Sequence, residues 1–385
     1  METVNIFRTT GRILMGVGSL SRIGDELKQL GANHVLVITD KGLVQSGIVG
    51  KLEGILKDSS VDYEIFDGVK ADPNYEIIYD TVKIVKKNEI DTIIGIGGGS
   101  SLDIAKVTSV SATNEGDITE FFGIDRVENE GLKTVLVPTT AGTGSEVTPI
   151  AILSDIKEKL KKGVVSSYLL PDVAILDASL TVSLPPKVTA STGMDALIHA
   201  IEAFTSIHAT FLTDDLAVKA IDLIFNNIRT AYANGVNLEA REGMLLGSML
   251  AGMAFANAGV TAVHAFAYPI GAEFHIPHGV ANTIMLIPVM KFNFLGNLSK
   301  FAKLASLLGE KTERLSERAA AEKTIEALEV LADDLNVPRH LREFGVEEKH
   351  IDSLAEGAMK VTRLLSNNPR ILSLEDARGI YRLAL

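Results

Sequence analysis

The chain has 385 residues and a formal net charge of −12, with 46% hydrophobic residues, 22% charged residues and no cysteine. This is globular composition in a chain too long for a single core, so two domains are expected. The acidic balance argues against a nucleic-acid partner, whose phosphates demand a basic surface. The absence of cysteine excludes disulfides, thiolate metal sites and Fe–S clusters.

The N-terminus lacks a basic stretch followed by a long apolar one, so no signal peptide is expected and the protein is read as cytoplasmic. Strand and helix patterns then alternate. HVLVIT (34–39), VDYEIF (61–66), DTIIGIG (91–97), KTVLVP (133–138) and DVAILD (172–177) are short Val/Ile-rich runs. Helical spacing falls between several of them, at about 19–30, 74–88 and 101–112. The alternation predicts a mostly parallel sheet with helices on both faces, an α/β domain.

Asp40 ends the first run, where a carboxylate can accept hydrogen bonds from ribose hydroxyls and repel a 2′-phosphate. That favours NAD over NADP, although a solvated turn aspartate would read the same way. TIIGIGGGSSLDIAK (92–106) is an apolar strand, a glycine turn and a helix start, which suits phosphate binding at a helix N-terminus. Gly95, Gly97 and Ser100 are its nearest fit to GxGxxG, and a plain strand-to-helix turn is the alternative. The loop VPTTAGTGSEVT (137–148) adds Thr139, Thr140, Thr143 and Ser145, hydroxyls fit for a phosphate or a nicotinamide ribose; a polar loop capping a helix is the alternative.

At Pro185–Pro186 the texture changes, because proline is tolerated at a helix start but not inside one. From about 188 nearly every segment has helical spacing. A boundary near 183–187 therefore separates residues 1–184 from an all-helical domain over 185–385. SLEDARGIYRLAL (373–385) opens with a serine cap and Asp376 three residues on, a helix-start signature.

GMDALIHAIEAF (193–204) puts Asp195 and His199 four apart, on one helix face. GVTAVHAFAYPIGAEFHIPHGVAN (259–282) holds His264 and His278 in a segment otherwise apolar. One carboxylate and three imidazoles make a ligand set for a divalent metal; each histidine taken singly reads as a core residue. Residues 244–263 run 20 positions without a charge, about a bilayer's span. The small and polar residues Gly247, Ser248, Gly252, Asn257 and Thr261 favour a buried core helix, so no membrane partner is expected.

Taken in order, GIGGGSSLDIAK, PTTAGTGSEVT, GMDALIHAIEAF and FHIPHGVAN resemble the iron-containing (group III) alcohol dehydrogenases, over essentially the whole chain including VTRLLSNNPR (361–370). The resemblance implies an N-terminal Rossmann-like domain over 1–184 and a C-terminal all-helical metal-binding domain over 185–385, with cofactor and metal meeting in the cleft between them. It implies Fe(II), with Zn(II) or another divalent metal able to bind, held by Asp195, His199, His264 and His278. It places cofactor contacts on Asp40, Asp72, Gly97, Gly98, Ser100, Asp103, Thr139, Thr140, Ser145 and Lys161, with Lys162 the alternative to Lys161. Some members carry a further histidine where this chain has Tyr268; His275 is the candidate catalytic substitute, or else a residue that orients a ligand. The implied activity is an NAD(H)-linked alcohol dehydrogenase or aldehyde reductase acting on small primary alcohols or diols. The alternatives are a 4-hydroxybutyrate-type hydroxyacid dehydrogenase and a glycerol dehydrogenase-like enzyme. A homodimer is the default assembly.

Overall fold

The computed structural model describes residues 4–156 and 160–385. The chain divides into two compact units. One is an α/β unit formed by Arg8–Leu184 together with Val236–Leu245; the other is helical and comprises Pro185–Gly235, Leu246–Leu385 and the described N-terminal residues up to Phe7. Neither unit is one contiguous stretch.

In the α/β unit the strands are β1 (Arg12–Met15), β2 (His34–Ile38), β3 (Asp62–Phe66), β4 (Thr92–Gly97), β5 (Gly123–Ile124), β6 (Lys133–Pro138), β7 (Ile150–Asp155), β8 (Leu160–Val165) and β9 (Val173–Leu176). Its longer helices are α1 (Ile23–Leu30), α2 (Lys41–Gln45), α3 (Ile48–Asp58), α4 (Ile77–Lys87) and α5 (Gly99–Thr113). Six strands form a parallel sheet in the order β1-β9-β6-β4-β2-β3. Each central strand is apolar on both faces because successive side chains alternate sides. Val35, Val37, Ile94, Ile96, Val135 and Val137 join one core with Ile23 and Leu27 of α1 and Leu52 and Leu56 of α3. Leu36, Ile38, Ile93 and Leu136 join the other with Ile78 and Val85 of α4 and Leu102, Ile104 and Val107 of α5.

The sequence reading missed a second sheet, β5-β8-β7, in which β7 and β8 run antiparallel. Its strands are short or mixed in polarity; β8 reads LKKGVV, which carries no continuous apolar signal.

The strand order places the ligand end of the main sheet. From β2 the chain goes outward to β3, then returns to β4 on the other side of β2. The winding reverses there, and ligands of open α/β sheets bind beside strand carboxyl ends at such a reversal. Asp40 follows β2, the glycine turn follows β4 and Thr139 follows β6, all at that end.

The polar loop after β6 is held from inside by a buried lysine. Lys106, on α5, donates to the carbonyl oxygens of Ser145 (2.9 Å), Ile150 (2.5 Å) and Thr148 (3.2 Å). Beside it Glu146 is buried with Oε1 unpartnered.

The helical unit contains α6 (Pro186–Thr205), α7 (Phe211–Ala233), most of α8 (Leu238–Ala258), α9 (Ala262–Phe274), α10 (His278–Asn293), α11 (Leu298–Leu307), α12 (Glu317–Asp334), α13 (Ile351–Met359), α14 (Thr362–Leu365) and α15 (Leu374–Ala384). α6 starts at Pro186, as the proline pair predicts, and Ser373 caps α15 in a capping box with Asp376. The uncharged run 244–263 is not one helix: α8 and α9 bend by 102° at a break where Gly259 takes φ +80°. The tail braces that break. Asn367 donates to the Val260 carbonyl (2.9 Å), and Asn368 accepts from the Ala262 N–H (3.3 Å) while exchanging two 2.8 Å bonds with Asn293. Tyr381 donates to the Phe266 carbonyl (2.7 Å), which fastens α15 to α9. By length and composition His278–Gly296 is apolar enough to cross a membrane, and more than half of it is buried within the protein.

Burial pushes the Glu146 carboxyl up to about 7, an effect Lys106 only partly offsets. The unfolded chain releases this proton near the ordinary glutamate value and the folded chain holds it to higher pH. This contribution to stability is therefore complete below the unfolded value and is lost as pH rises through about 7. Glu146→Gln should flatten the loss, gaining roughly 2–3 kcal/mol relative to wild type at pH 8 compared with pH 4.5. Urea melts of both proteins across that range check the slope.

Candidate metal centre and cofactor loop

α6 is buried along nearly its whole length, and its spacing sets the first part of the centre. Asp195, His199 and Glu202 stand at i, i+4 and i+7, on one face. α9 brings His264 in its first turn, and α10 begins with His278. Gly279 allows the close approach of α10 to α6, since a Cβ there would collide with the Ser191 carbonyl.

The donor atoms of Asp195, His199 and His264 all lie within 4.8 Å of one another, and all three residues are buried. His278 Nε2 and His264 Nε2 are each 3.8 Å from Asp195 Oδ1. The rings pack: His199 stacks on His264 at 4.5 Å between centroids and on Phe255 at 4.3 Å. Two donors each ~2.1 Å from one ion are at most ~4.2 Å apart, so the 3.8 Å separations suit a shared divalent cation. A carboxylate with three imidazoles is chemically right for Fe(II), Zn(II) or a neighbouring divalent ion.

Two residues at the centre escaped the sequence reading. Glu202, fully buried, bonds His264 Nδ1 through Oε2. Through Oε1 it accepts from the N–H groups of Thr261 (3.0 Å) and Val263 (2.8 Å) and from Thr261 Oγ1 (2.5 Å). It thereby caps α9, which has no side-chain cap of its own. The bond to Glu202 makes Nδ1 of His264 an N–H donor and turns Nε2 toward Asp195. Asn282, one turn along α10 from His278, donates from Nδ2 to Asp195 Oδ1 at 2.6 Å. The available signal was spacing alone: Glu202 shares the face of Asp195 and His199, and Asn282 that of His278.

Burial alone would raise the Asp195 carboxyl, but the imidazoles of His199, His278 and His264 and the Asn282 amide hold it below its ordinary range. Burial alone would lower the His264 imidazole, and Glu202 with Asp195 instead raises it. His275 differs from the candidate ligands: it is exposed, with φ +55°, and ends α9. Tyr268 lies 6.1 Å from His278 between ring centroids.

In the α/β unit Gly98 is the N-cap of α5 and Ser100 lies in its first turn. Gly97 takes φ +155°, and a Cβ there would come within 2.6 Å of Ser101 Oγ. Gly97 also accepts from the Thr139 N–H (2.9 Å), which joins the glycine turn to the threonine loop, and Thr140 lies beside Gly98. Asp40 caps α2 by accepting from the Leu43 N–H (3.1 Å), so its carboxylate is fixed at the end of β2. Asp103 and Ser145 bond each other at 2.5 Å, and Asp103 also accepts from the Ile152 N–H (2.8 Å); this pair ties α5 to β7. Asp72, at φ +50°, pairs with Lys161 (2.5 Å), while Lys162 pairs with Asp155 (2.8 Å).

Residues 10–178 match the iron-containing alcohol dehydrogenase family, and residues 189–385 match the C-terminal region of the Fe-containing alcohol dehydrogenase family. Long-chain-alcohol dehydrogenase 1 of Geobacillus thermodenitrificans is 42% identical over 373 residues, 96% of this chain and 94% of the relative. The crystal structure of a 1,3-propanediol oxidoreductase superposes with a TM-score of 0.97 at 39% identity, covering 100% of both chains. That of sulfoacetaldehyde reductase from Bifidobacterium kashiwanohense in complex with NAD+ superposes with a TM-score of 0.89 at 29% identity, covering 99% of this chain and 98% of the other.

Glu202→Gln keeps the size of the side chain but removes the charge that orients His264. Zn(II) affinity, measured by chelator competition, should fall about 10- to 100-fold.

Proposed function

This chain belongs to the iron-containing alcohol dehydrogenase family and is an oxidoreductase, and from that premise we propose an NAD(H)-linked, metal-dependent alcohol dehydrogenase or aldehyde reductase for small primary alcohols and diols. The observation that carries the reading is the convergence of Asp195, His199, His264 and His278 on one small volume, with Glu202 orienting His264. The full set of four ligands favours this reading over a glycerol dehydrogenase-like enzyme. A hydroxyacid substrate would call for a cation near the ligands; Lys291 is occupied by Glu329 at 2.9 Å, while Arg363 acts electrostatically on His264.

The four ligands would hold Fe(II), with Zn(II) a competent replacement. When bound, the cation supplies Lewis acidity toward a substrate oxygen and the nicotinamide gives or takes hydride. The chain's own residues do the rest. Glu202 keeps the His264 lone pair aimed at the ligand cluster, and Phe255 covers one face of His199 against water. The open turn at Gly97–Gly98 and the N-terminus of α5 suit a pyrophosphate, with Ser100, Thr139 and Thr140 beside it. Asp40, fixed at the end of β2, suits ribose hydroxyls and opposes a 2′-phosphate. Lys161 and Asp72 form one ion pair that a bound nucleotide would meet as a unit. Asp103 and Ser145 act by holding the threonine loop in place. His275, exposed at the end of α9, is the candidate for proton exchange with solvent.

We further propose a cytoplasmic homo-oligomer, by default a dimer. The exposed apolar side chains Ile207, Phe211 (84% exposed) and Leu212 support an interface.

Three outcomes are expected. Chelator in air should abolish NAD-linked oxidation of short alcohols and diols, and Fe(II) or Zn(II) should restore it; full activity in metal-free protein overturns the reading. His264→Ala should lose metal and turnover together. Asp40→Gly should raise kcat/KM with NADP relative to NAD by tenfold or more, about 1.4 kcal/mol of lost discrimination.

A further inference from the structure

Bare backbone lets the glycine turn meet the threonine loop closely. A Cβ at Gly99 would fall 2.6 Å from Thr143 Cγ2, one at Gly98 would fall 3.6 Å from Thr140 Cγ2, and the Thr139 N–H bonds the Gly97 carbonyl oxygen at 2.9 Å. The position of the loop therefore decides what fits over the N-terminus of α5. The groups that set this position lie behind the loop. Asp103 and Lys106 stand three apart on α5, the helix that begins at the glycine turn. Lys106 is 1% exposed, and its Nζ donates to the carbonyl oxygens of Ser145 (2.9 Å), Thr148 (3.2 Å) and Ile150 (2.5 Å). Asp103 Oδ1 lies 3.5 Å from the same nitrogen and 2.5 Å from Ser145 Oγ, while Oδ2 accepts from the Ile152 N–H at 2.8 Å.

Three ammonium N–H groups thus meet three convergent carbonyl oxygens, with a carboxylate beside them. An apolar side chain of the same length would fill the volume but leave those oxygens unsatisfied. With its donors engaged and its surface covered, Lys106 cannot itself touch a ligand, so any effect on one passes through the loop. We propose that Lys106 is a positioning residue for the dinucleotide: its buried ammonium, paired with Asp103, is a fixed internal cation that holds the threonine loop at the spacing from the glycine turn that the nucleotide requires. The helix that offers its N-terminus to the phosphates also carries the two side chains that place the opposite wall. This inference rests on the NAD(H) reading and concerns what keeps that site in shape.

The test is NADH binding, followed by fluorescence titration, together with Zn(II) binding by chelator competition, on wild type, Lys106→Met and Asp103→Asn. Lys106→Met keeps the length of the side chain and removes the charge and the donors, so the NADH dissociation constant should rise about tenfold or more. Its Zn(II) affinity should stay within about twofold of wild type, because the candidate ligands belong to the helical unit. A merely structural role would reduce the folded fraction and leave the NADH dissociation constant of the folded molecules unchanged. Asp103→Asn, which leaves the ammonium in its cage without the counter-charge, should weaken NADH about threefold or more. NADH binding by Lys106→Met as tight as wild type overturns the inference, and so does an equal loss of Zn(II) affinity, which would mark a general collapse. If Lys106→Met fails to fold, Asp103→Asn decides alone, and wild-type affinity there overturns it. A wild-type protein that does not bind NADH would instead refute the NAD(H) reading itself.

Discussion

One buried carboxylate ties the candidate metal centre together. Glu202 stands on the same face of α6 as Asp195 and His199, and it reaches α9 in two ways. One oxygen takes the N–H groups that α9 leaves open at its start; the other fixes the ring of His264 one turn inside. The helix carrying Asp195 and His199 therefore sets both where the next helix begins and how the ring of its histidine is turned. The electrostatics agree. A divalent cation held there would sum to zero with the carboxylates of Asp195 and Glu202 (+2 −1 −1), offsetting buried negative charge that is otherwise costly.

The α/β unit shows a parallel economy. Asp40 precedes the glycine turn in the chain, the reverse of the usual dinucleotide fingerprint, yet both lie at carboxyl ends of neighbouring strands. Winding outward from β2 to β3 and back to β4 makes the order along the chain irrelevant to proximity. The threonine loop joins them because β6 pairs with β4 as far as Pro138 opposite Gly97. Lys106 then fastens that loop from beneath by donating to two of its carbonyl oxygens and to that of Ile150, where β7 begins. The loop can present hydroxyls and bare backbone outward because these inward carbonyls are already satisfied.

Several features could be read without coordinates because their signals are local. The five apolar strand runs, the proline pair before α6 and the Ser373 cap each declare themselves within a few residues. Asp195 and His199 could be paired because helical spacing places i and i+4 on one face. The antiparallel pair β7–β8 could not, since LKKGVV owes its strand state to pairing with ILSD and its neighbours rather than to its own pattern. The bend between α8 and α9 was also hidden: Gly259 is one glycine among several in the run, and what distinguishes it is the packing of Asn367 against it.

The sequence alone determined the kinds of chemistry available: a carboxylate and imidazoles without thiolates, a glycine turn after an apolar strand, and an acid at a strand end. These are properties of residue type and short-range periodicity, and they survive in one dimension. Only the tertiary structure decided which polar groups meet. Glu202 reaching across 62 positions to His264 and Asn282 set among Asp195, His264 and His278 depend on how α6, α9 and α10 pack; Asp103 spent on Ser145 depends on how α5 meets the loop before β7. Burial makes those meetings obligatory, because a polar atom removed from water must find its partner wherever the fold brings one.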